Sequence, residues 1–95
     1  MSSVFHSPEA ESDLLGIAEY IARDKPEAAR SWIHKICMVC QALAIQPTLG
    51  EARTEFGVSG CRSFSVCHYV IFFRPKEEGI EVARVINGSR DLRSL

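Results

Sequence analysis

Arg62, Arg74, Arg84 and Arg90 crowd into the C-terminal third of this 95-residue chain, with Tyr69 among them. A guanidinium is always charged and presents its N–H groups as a rigid fork, so it binds carboxylate or phosphate two-handed. Two kinds of chemistry follow. One is binding, with the arginines and Tyr69 forming a surface for anionic groups. The other is metal-free RNA cleavage, which needs a general base, a general acid and cations that hold phosphate. Arg62, Arg84 and Arg90 are the catalytic candidates for that second reading, with Tyr69 or His68 as a proton carrier. A late lysine and tyrosine would strengthen it, but the last lysine is Lys76 and the last tyrosine is Tyr69.

Other catalytic patterns are thin. Ser63 and Ser65 lack a glycine elbow, and His6 and His34 stand isolated. No Gly-rich phosphate loop, paired-carboxylate motif or metal-ligand cluster occurs. Cys37 and Cys40 form a C-x-x-C, a spacing that can mean zinc or redox chemistry. A redox pair belongs at a helix N-terminus, where the dipole lowers a thiol pKa, whereas this pair falls about three turns into a helical pattern. Cys61 and Cys67 fall in one strand pattern, roughly 20 Å apart at 3.3 Å per residue. All four read as small apolar residues or free thiols, and no metal or cofactor is expected.

The totals describe one domain, residues 1–95, with ordinary apolar content of 46% and a net charge of −1. Such a balance argues against nucleic-acid binding by bulk charge and gives no sign of sequence-specific readout. Residues 1–60 hold eight acids and five bases, while residues 61–95 hold four and six. An anion-seeking surface therefore belongs to the C-terminal third. The start, MSSVFHSPEAESD, lacks the basic and apolar segments of a targeting signal. No run approaches the roughly 18–20 apolar residues of a membrane span. A cytoplasmic chain without membrane contact is expected.

The elements that must position the arginines follow from periodicity. Val4-Phe5-His6 reads as a short strand. Ser7-Pro8 supplies an N-cap and a first-turn proline, and Glu9, Glu11 and Asp13 suit the positive helix end. Ala10, Leu14, Ile17 and Ile21 share a helical face, which predicts a helix from about Pro8 to Arg23. Pro26 opens a second helix that ends near Gln46. Its stripe is Ala29, Ile33, Ile36, Cys40 and Leu43, widened by Trp32 and Val39. Residues 61–67 alternate, 69–73 are apolar throughout, and 80–86 alternate again, with Pro75 to Gly79 as a loop. These predict an antiparallel three-strand meander with the N-terminal strand added at an edge. The order is β-α-α-β-β-β, an α+β two-layer domain with a helical hairpin packed on an antiparallel sheet.

Strand parity then poses a problem. Arg62 alternates with Phe64 and Val66, and Arg84 with Ile80, Val82 and Ile86, so both are expected on the apolar side of their strands. A charge there is costly unless it reaches water or an acid. Either each arginine lies beyond the rim of the helices or pairs with a helix acid such as Glu19, or the sheet face is partly open and Arg62 and Arg84 line a cleft beside Arg74 and Arg90.

A series of short motifs runs along the chain: S-P-E-A-E-x-D-L at Ser7 to Leu14, Y-I-A at Tyr20 to Ala22, P-E-A-A-R at Pro26 to Arg30 and P-x-L-G at Pro47 to Gly50. R-S-F-x-V at Arg62 to Val66, Y-V-I-F-F-R-P at Tyr69 to Pro75, and G-I-E-V-A-R-V-I-N-G-S-R-D-L at Gly79 to Leu92 continue the series. The ordered set covers nearly the whole chain, and in it the chain resembles the ParE toxins of bacterial toxin–antitoxin modules. The resemblance implies the RelE/ParE fold, a role in plasmid stabilisation and a toxin neutralised by a cognate antitoxin, one with a ribbon-helix-helix or similar DNA-binding domain and a tail that folds onto the toxin. It also implies DNA gyrase as the target, inhibited by binding rather than by an enzymatic reaction. The related RelE toxins cut mRNA at the ribosome, and a non-toxic homologue that merely binds antitoxin is a third reading. The ending Arg-Asp-Leu-Arg-Ser-Leu favours the ParE side, since RelE-type nucleases carry catalytic basic residues and usually a late tyrosine or histidine. Asn87 stands where the family usually has histidine, so no role is carried over from that position. A homodimer or a toxin–antitoxin hetero-oligomer is compatible with the resemblance.

Overall fold

A computed structural model describes residues 2–54 and 60–88. The elements in chain order are β1 (Ser3–His6), α1 (Pro8–Ala22), α2 (Pro26–Ile45), a 3₁₀ turn (Pro47–Leu49), β2 (Glu51–Ala52), β3 (Arg62–Val66), β4 (Tyr69–Lys76) and β5 (Gly79–Asn87). The two helices form a hairpin that covers one face of a five-stranded sheet in the order β1-β5-β4-β3-β2. The α+β two-layer expectation stands. Two details differ from the expected antiparallel sheet: β1 runs parallel to β5, which makes the sheet mixed, and β2 adds a two-residue edge strand. The parallel pairing is possible because the helical hairpin serves as the crossover between β1 and the meander.

Local chemistry sets the helix ends. The Ser7 hydroxyl oxygen accepts the Ala10 N–H at 3.0 Å, and Pro8 occupies the first turn. Pro26 starts α2 in the same way. The main core gathers Ala10, Trp32, Ile36, Cys40 and Leu43 from the helices against Val66, Ile71, Phe73, Ile80, Val82 and Val85 from the sheet. Within the predicted stripe of α2, Ile33 is in fact 43% exposed while Trp32 is buried. A larger aromatic body one position away takes the core-facing site.

A second, smaller cluster of Val70, Phe72 and Ile86 lies on the other side of the sheet, because these residues alternate along β4 with Ile71 and Phe73. The loop expected from Pro75 to Gly79 is shorter than its composition suggested. Pro75 and Lys76 pair with Ile80 and Gly79, so Glu77-Glu78 alone make the turn. Gly79 is required there: its φ is +150°, and a Cβ would collide with the Ser3 carbonyl of the adjacent strand.

Cys61 and Cys67 flank β3 rather than lie in it. Cys67 opens the two-residue β3–β4 turn with a φ of 56°, a left-handed value that glycine usually fills. Cys37 is exposed and Cys40 buried. Burial, with Cys37 close by, pushes the Cys40 thiol up to about 11. No helix among the described residues is long and apolar enough to cross a membrane.

Candidate functional site

The site grows from an irregularity in β5. Phe72 pairs with Arg84 and Phe73 with Val82, so Ala83 is an extra residue opposite no partner. The bulge reverses strand parity. Val82 and Val85 both face the helices, whereas Arg84 falls opposite Phe72, which belongs to the second cluster with Ile86. The expectation that Arg84 shares a face with Ile80 and Val82 is therefore overturned. One inserted residue moves it to the other register.

The same region is an open edge. β1 pairs with β5 only from Gly79 to Val82. Beyond it, Ser7 takes over: its N–H donates to the Val82 carbonyl at 3.0 Å and its hydroxyl to the Ala83 carbonyl at 2.7 Å. One serine thus caps α1 and holds the bulge. The Gly88 N–H donates to the His68 carbonyl at 2.7 Å. By antiparallel alternation, Val85 and Asn87 then turn their backbone groups away from β4, toward the open edge.

Asp13 of α1 answers that edge. Its Oδ2 accepts the Val85 N–H at 3.0 Å and the Arg84 Nε at 2.8 Å, and its Oδ1 accepts Arg84 Nη2 at 3.1 Å. The Asp13 hydrogen bond holds the Arg84 guanidinium above its ordinary pKa. The Asp13 side chain is 17% exposed and that of Arg84 46%. Pairing of a strand arginine with an acid of either helix was one of the alternatives left open, with Glu19 as the example; for Arg84 the acid is Asp13. Sequence reading took Asp13 for a helix-end charge, and the available signal was its place in the Ser7 to Leu14 motif.

A cleft of about 510 Å³ opens beside this pair. Ser12, Gly16, Ile17 and Tyr20 of α1 form one wall, and Val85, Ile86 and Asn87 of β5 with Tyr69 of β4 form the other. Tyr69 stands edge-on to Trp32, with ring centroids 5.2 Å apart and planes at 63°. The indole Nε1 of Trp32 is buried without a hydrogen-bond partner among the described residues.

The other arginines are elsewhere. Arg62 does share the helix-side face, opposite Phe73, but its guanidinium closes onto the main chain: Nε donates to the carbonyls of Pro47 at 3.1 Å and Gly50 at 3.2 Å, and Nη2 to Gly50 at 2.7 Å. Arg74 pairs across the strands with Glu81, Nη2 to Oε1 at 2.6 Å, with Lys76 at 3.7 Å from the same oxygen. The Arg74 hydrogen bond holds the Glu81 carboxyl below the ordinary range. Arg90 lies outside the described residues. Of the five sequence candidates, the structure brings Tyr69 and Arg84 together in one cleft and places Arg62 and Arg74 apart from it. In the alternative of a partly open face, Arg62 and Arg84 line one cleft beside Arg74 and Arg90; the three of these arginines among the described residues are not gathered in one cleft.

Chemically, the cleft is better equipped to hold than to transform. Asp13 spends its acceptors on three donors, so it is a poor general base. Among the described residues no group of three His, Cys, Asp or Glu side chains gathers as a metal site. The turn that bears His68 borders a separate hollow of about 360 Å³ with Cys67.

Comparison with known proteins places the architecture. The structure of the chromosomal ParDE toxin–antitoxin system from P. aeruginosa aligns with a TM-score of 0.74 at 23% identity, covering 92% of this chain and 96% of that one. At that identity the likeness speaks for the fold. No curated protein matches the chain. A family model described as the ParE toxin of the type II toxin–antitoxin system parDE matches residues 4–92. With that match spanning almost every element described above, the chain belongs to the ParE toxin family of type II toxin–antitoxin systems.

Proposed function

We propose that this toxin inhibits DNA gyrase by binding and that a cognate antitoxin neutralises it by docking on the α1–β5 cleft. The observation that carries the reading is the cleft's composition. It joins apolar and aromatic surface (Ile17, Tyr20, Tyr69) to one half-exposed guanidinium, and its carboxylate is already committed. Such a surface suits an amphipathic protein segment with acidic groups. The alternative, ribosome-dependent mRNA cleavage, asks Arg62 and Arg84 to act together on phosphate. They are engaged at separate places, one on carbonyls and one on Asp13, which supports the inhibitor reading.

The test is a supercoiling assay with purified protein, gyrase and ATP, scored also for trapped cleaved DNA. Inhibition or cleavage that the product of the paired gene reverses is the expected result. No effect on gyrase, together with message cleavage that Arg84→Ala abolishes, would replace this reading with the nuclease.

A further inference from the structure

We propose that Arg84 is a bridging guanidinium: held side-on by Asp13, it offers its other edge to an acidic side chain of a partner protein seated in the cleft. The inference rests on the reading of the cleft as a partner surface and names what that surface recognises.

A guanidinium carries five N–H groups on three nitrogens. Asp13 occupies Nε and one N–H of Nη2. Among the described residues, both N–H groups of Nη1 and the second of Nη2 have no partner, and one from each of these two nitrogens forms the end-on edge of the guanidinium, separate from the side that Asp13 occupies. That edge has the spacing of a second bidentate carboxylate site. With 46% of the side chain exposed, it meets solvent.

Two hollows share Ser12, Asp13 and Arg84 in their linings, and they differ in charge. The smaller, about 380 Å³, adds Pro8 and Glu9. Glu9 is near enough to act electrostatically on Arg84, and it would repel an incoming carboxylate. Among the described residues, the larger cleft adds no charged side chain to the Asp13–Arg84 pair. An anion is therefore favoured on the Tyr69 side. Ile17, Tyr20 and Tyr69 there give apolar contact to the residues flanking an acidic one, a gain that free phosphate lacks.

Asp13 is a positioning residue in this scheme. Its bond to the Val85 N–H keeps it seated while the far edge of Arg84 is loaded. Without it, the long arginine side chain must be ordered by the partner itself.

The experiment uses the full chain and the fluorescence of Trp32, the sole tryptophan, which sits against Tyr69. The probes are an acetylated, amidated Leu-Asp-Leu peptide, its Leu-Asn-Leu counterpart and inorganic phosphate, at constant ionic strength. The acidic peptide is expected to bind saturably, with the amide peptide and phosphate each at least about tenfold weaker. Arg84→Lys, which keeps the charge and loses the fork, lowers acidic-peptide affinity by at least about tenfold. Asp13→Asn narrows the ratio between the two peptides, whereas a purely structural role would weaken both alike. Equal binding of the two peptides, unchanged affinity in a folded Arg84→Lys protein, or phosphate binding as tight as the peptide overturns the proposal. The wild-type peptide comparison decides even if a variant fails to fold. A protein that inhibits gyrase without discriminating the peptides sinks this inference and leaves the function. Discrimination without inhibition does the reverse.

Discussion

Arg62 and Arg84 occupy comparable positions, each in an apolar strand directly opposite a buried Phe of β4, yet they meet opposite solutions. At the β3 end, Arg62 turns inward along the sheet and satisfies the carbonyls of the α2–β2 connection. At the β5 edge, Arg84 stays half exposed against Asp13. What separates them is the neighbouring backbone. Near Arg62 the 3₁₀ turn already bonds its Pro47 carbonyl to the Gly50 N–H, and the Gly50 carbonyl beyond it takes its donors from the guanidinium. Near Arg84, β1 has ended and the strand edge wants an acceptor, which Asp13 supplies while also fixing the arginine. The first arrangement uses charge to close a fold; the second leaves charge on offer.

The contrast can be attacked at several strengths. Gly79→Ala should have the largest effect, at least ~3 kcal/mol of stability, because its Cβ collides with β1 and its φ disfavours a side chain. Since β1 leads directly into α1, the Asp13–Arg84 pair should loosen while the Arg62 contacts persist; denaturant melts with NMR of the Arg Nε–H groups would tell. Arg62→Ala should cost about 2 kcal/mol by removing the guanidinium donors of the Gly50 carbonyl. The gyrase inhibition proposed above, measured well below the melting temperature, should remain near wild type in this variant; a lost inhibition with unchanged melting would erase the distinction drawn here.

Cys40 offers a control that belongs to neither arginine. An unfolded thiol ionises near 9.0, whereas the folded one holds its proton up to about 11. Below pH 9 the group contributes no pH dependence. Between those values the unfolded state binds fewer protons, so stability must fall as pH rises, by about 1 kcal/mol at pH 10. Cys40→Ala should remove that component from urea melts taken across this window. Arg84→Ala comes last for stability, under ~1 kcal/mol, because the pair is partly solvated and Val85 keeps its bond to Asp13. A calorimetric loss as large as that of Arg62→Ala would mean that Arg84 is structural after all.

Much of this scaffold was legible in the chain. Ser7-Pro8 and Pro26 announced the helix starts because caps and prolines act locally, and the apolar run at 69–73 announced the central strand. The parity of Arg62 was readable because β3 is regular. That of Arg84 was not, because a bulge at Ala83 is set by pairing across two strands and leaves no mark in alternation. Asp13 escaped for a related reason. Its partners lie 71 and 72 residues away, and a carboxylate in the first turns of a helix already has a sufficient local explanation. Tyr69 was singled out, but its edge-on contact with Trp32 joins β4 to α2, a relation that neither segment's pattern contains.

The parallel pairing of Ser3 to His6 with Gly79 to Val82 sets an order of events during synthesis. β1 has no partner until β5 has been made, and the contacts of Asp13 wait equally long. Closing so long a loop is an entropic cost that comes late. A growing chain can form its helical hairpin early and the β3–β4 ribbon next, but the α1–β5 cleft exists only once β5 has been made. A message broken before the codons of β5 therefore yields a polypeptide that carries the hairpin and the ribbon but not the cleft.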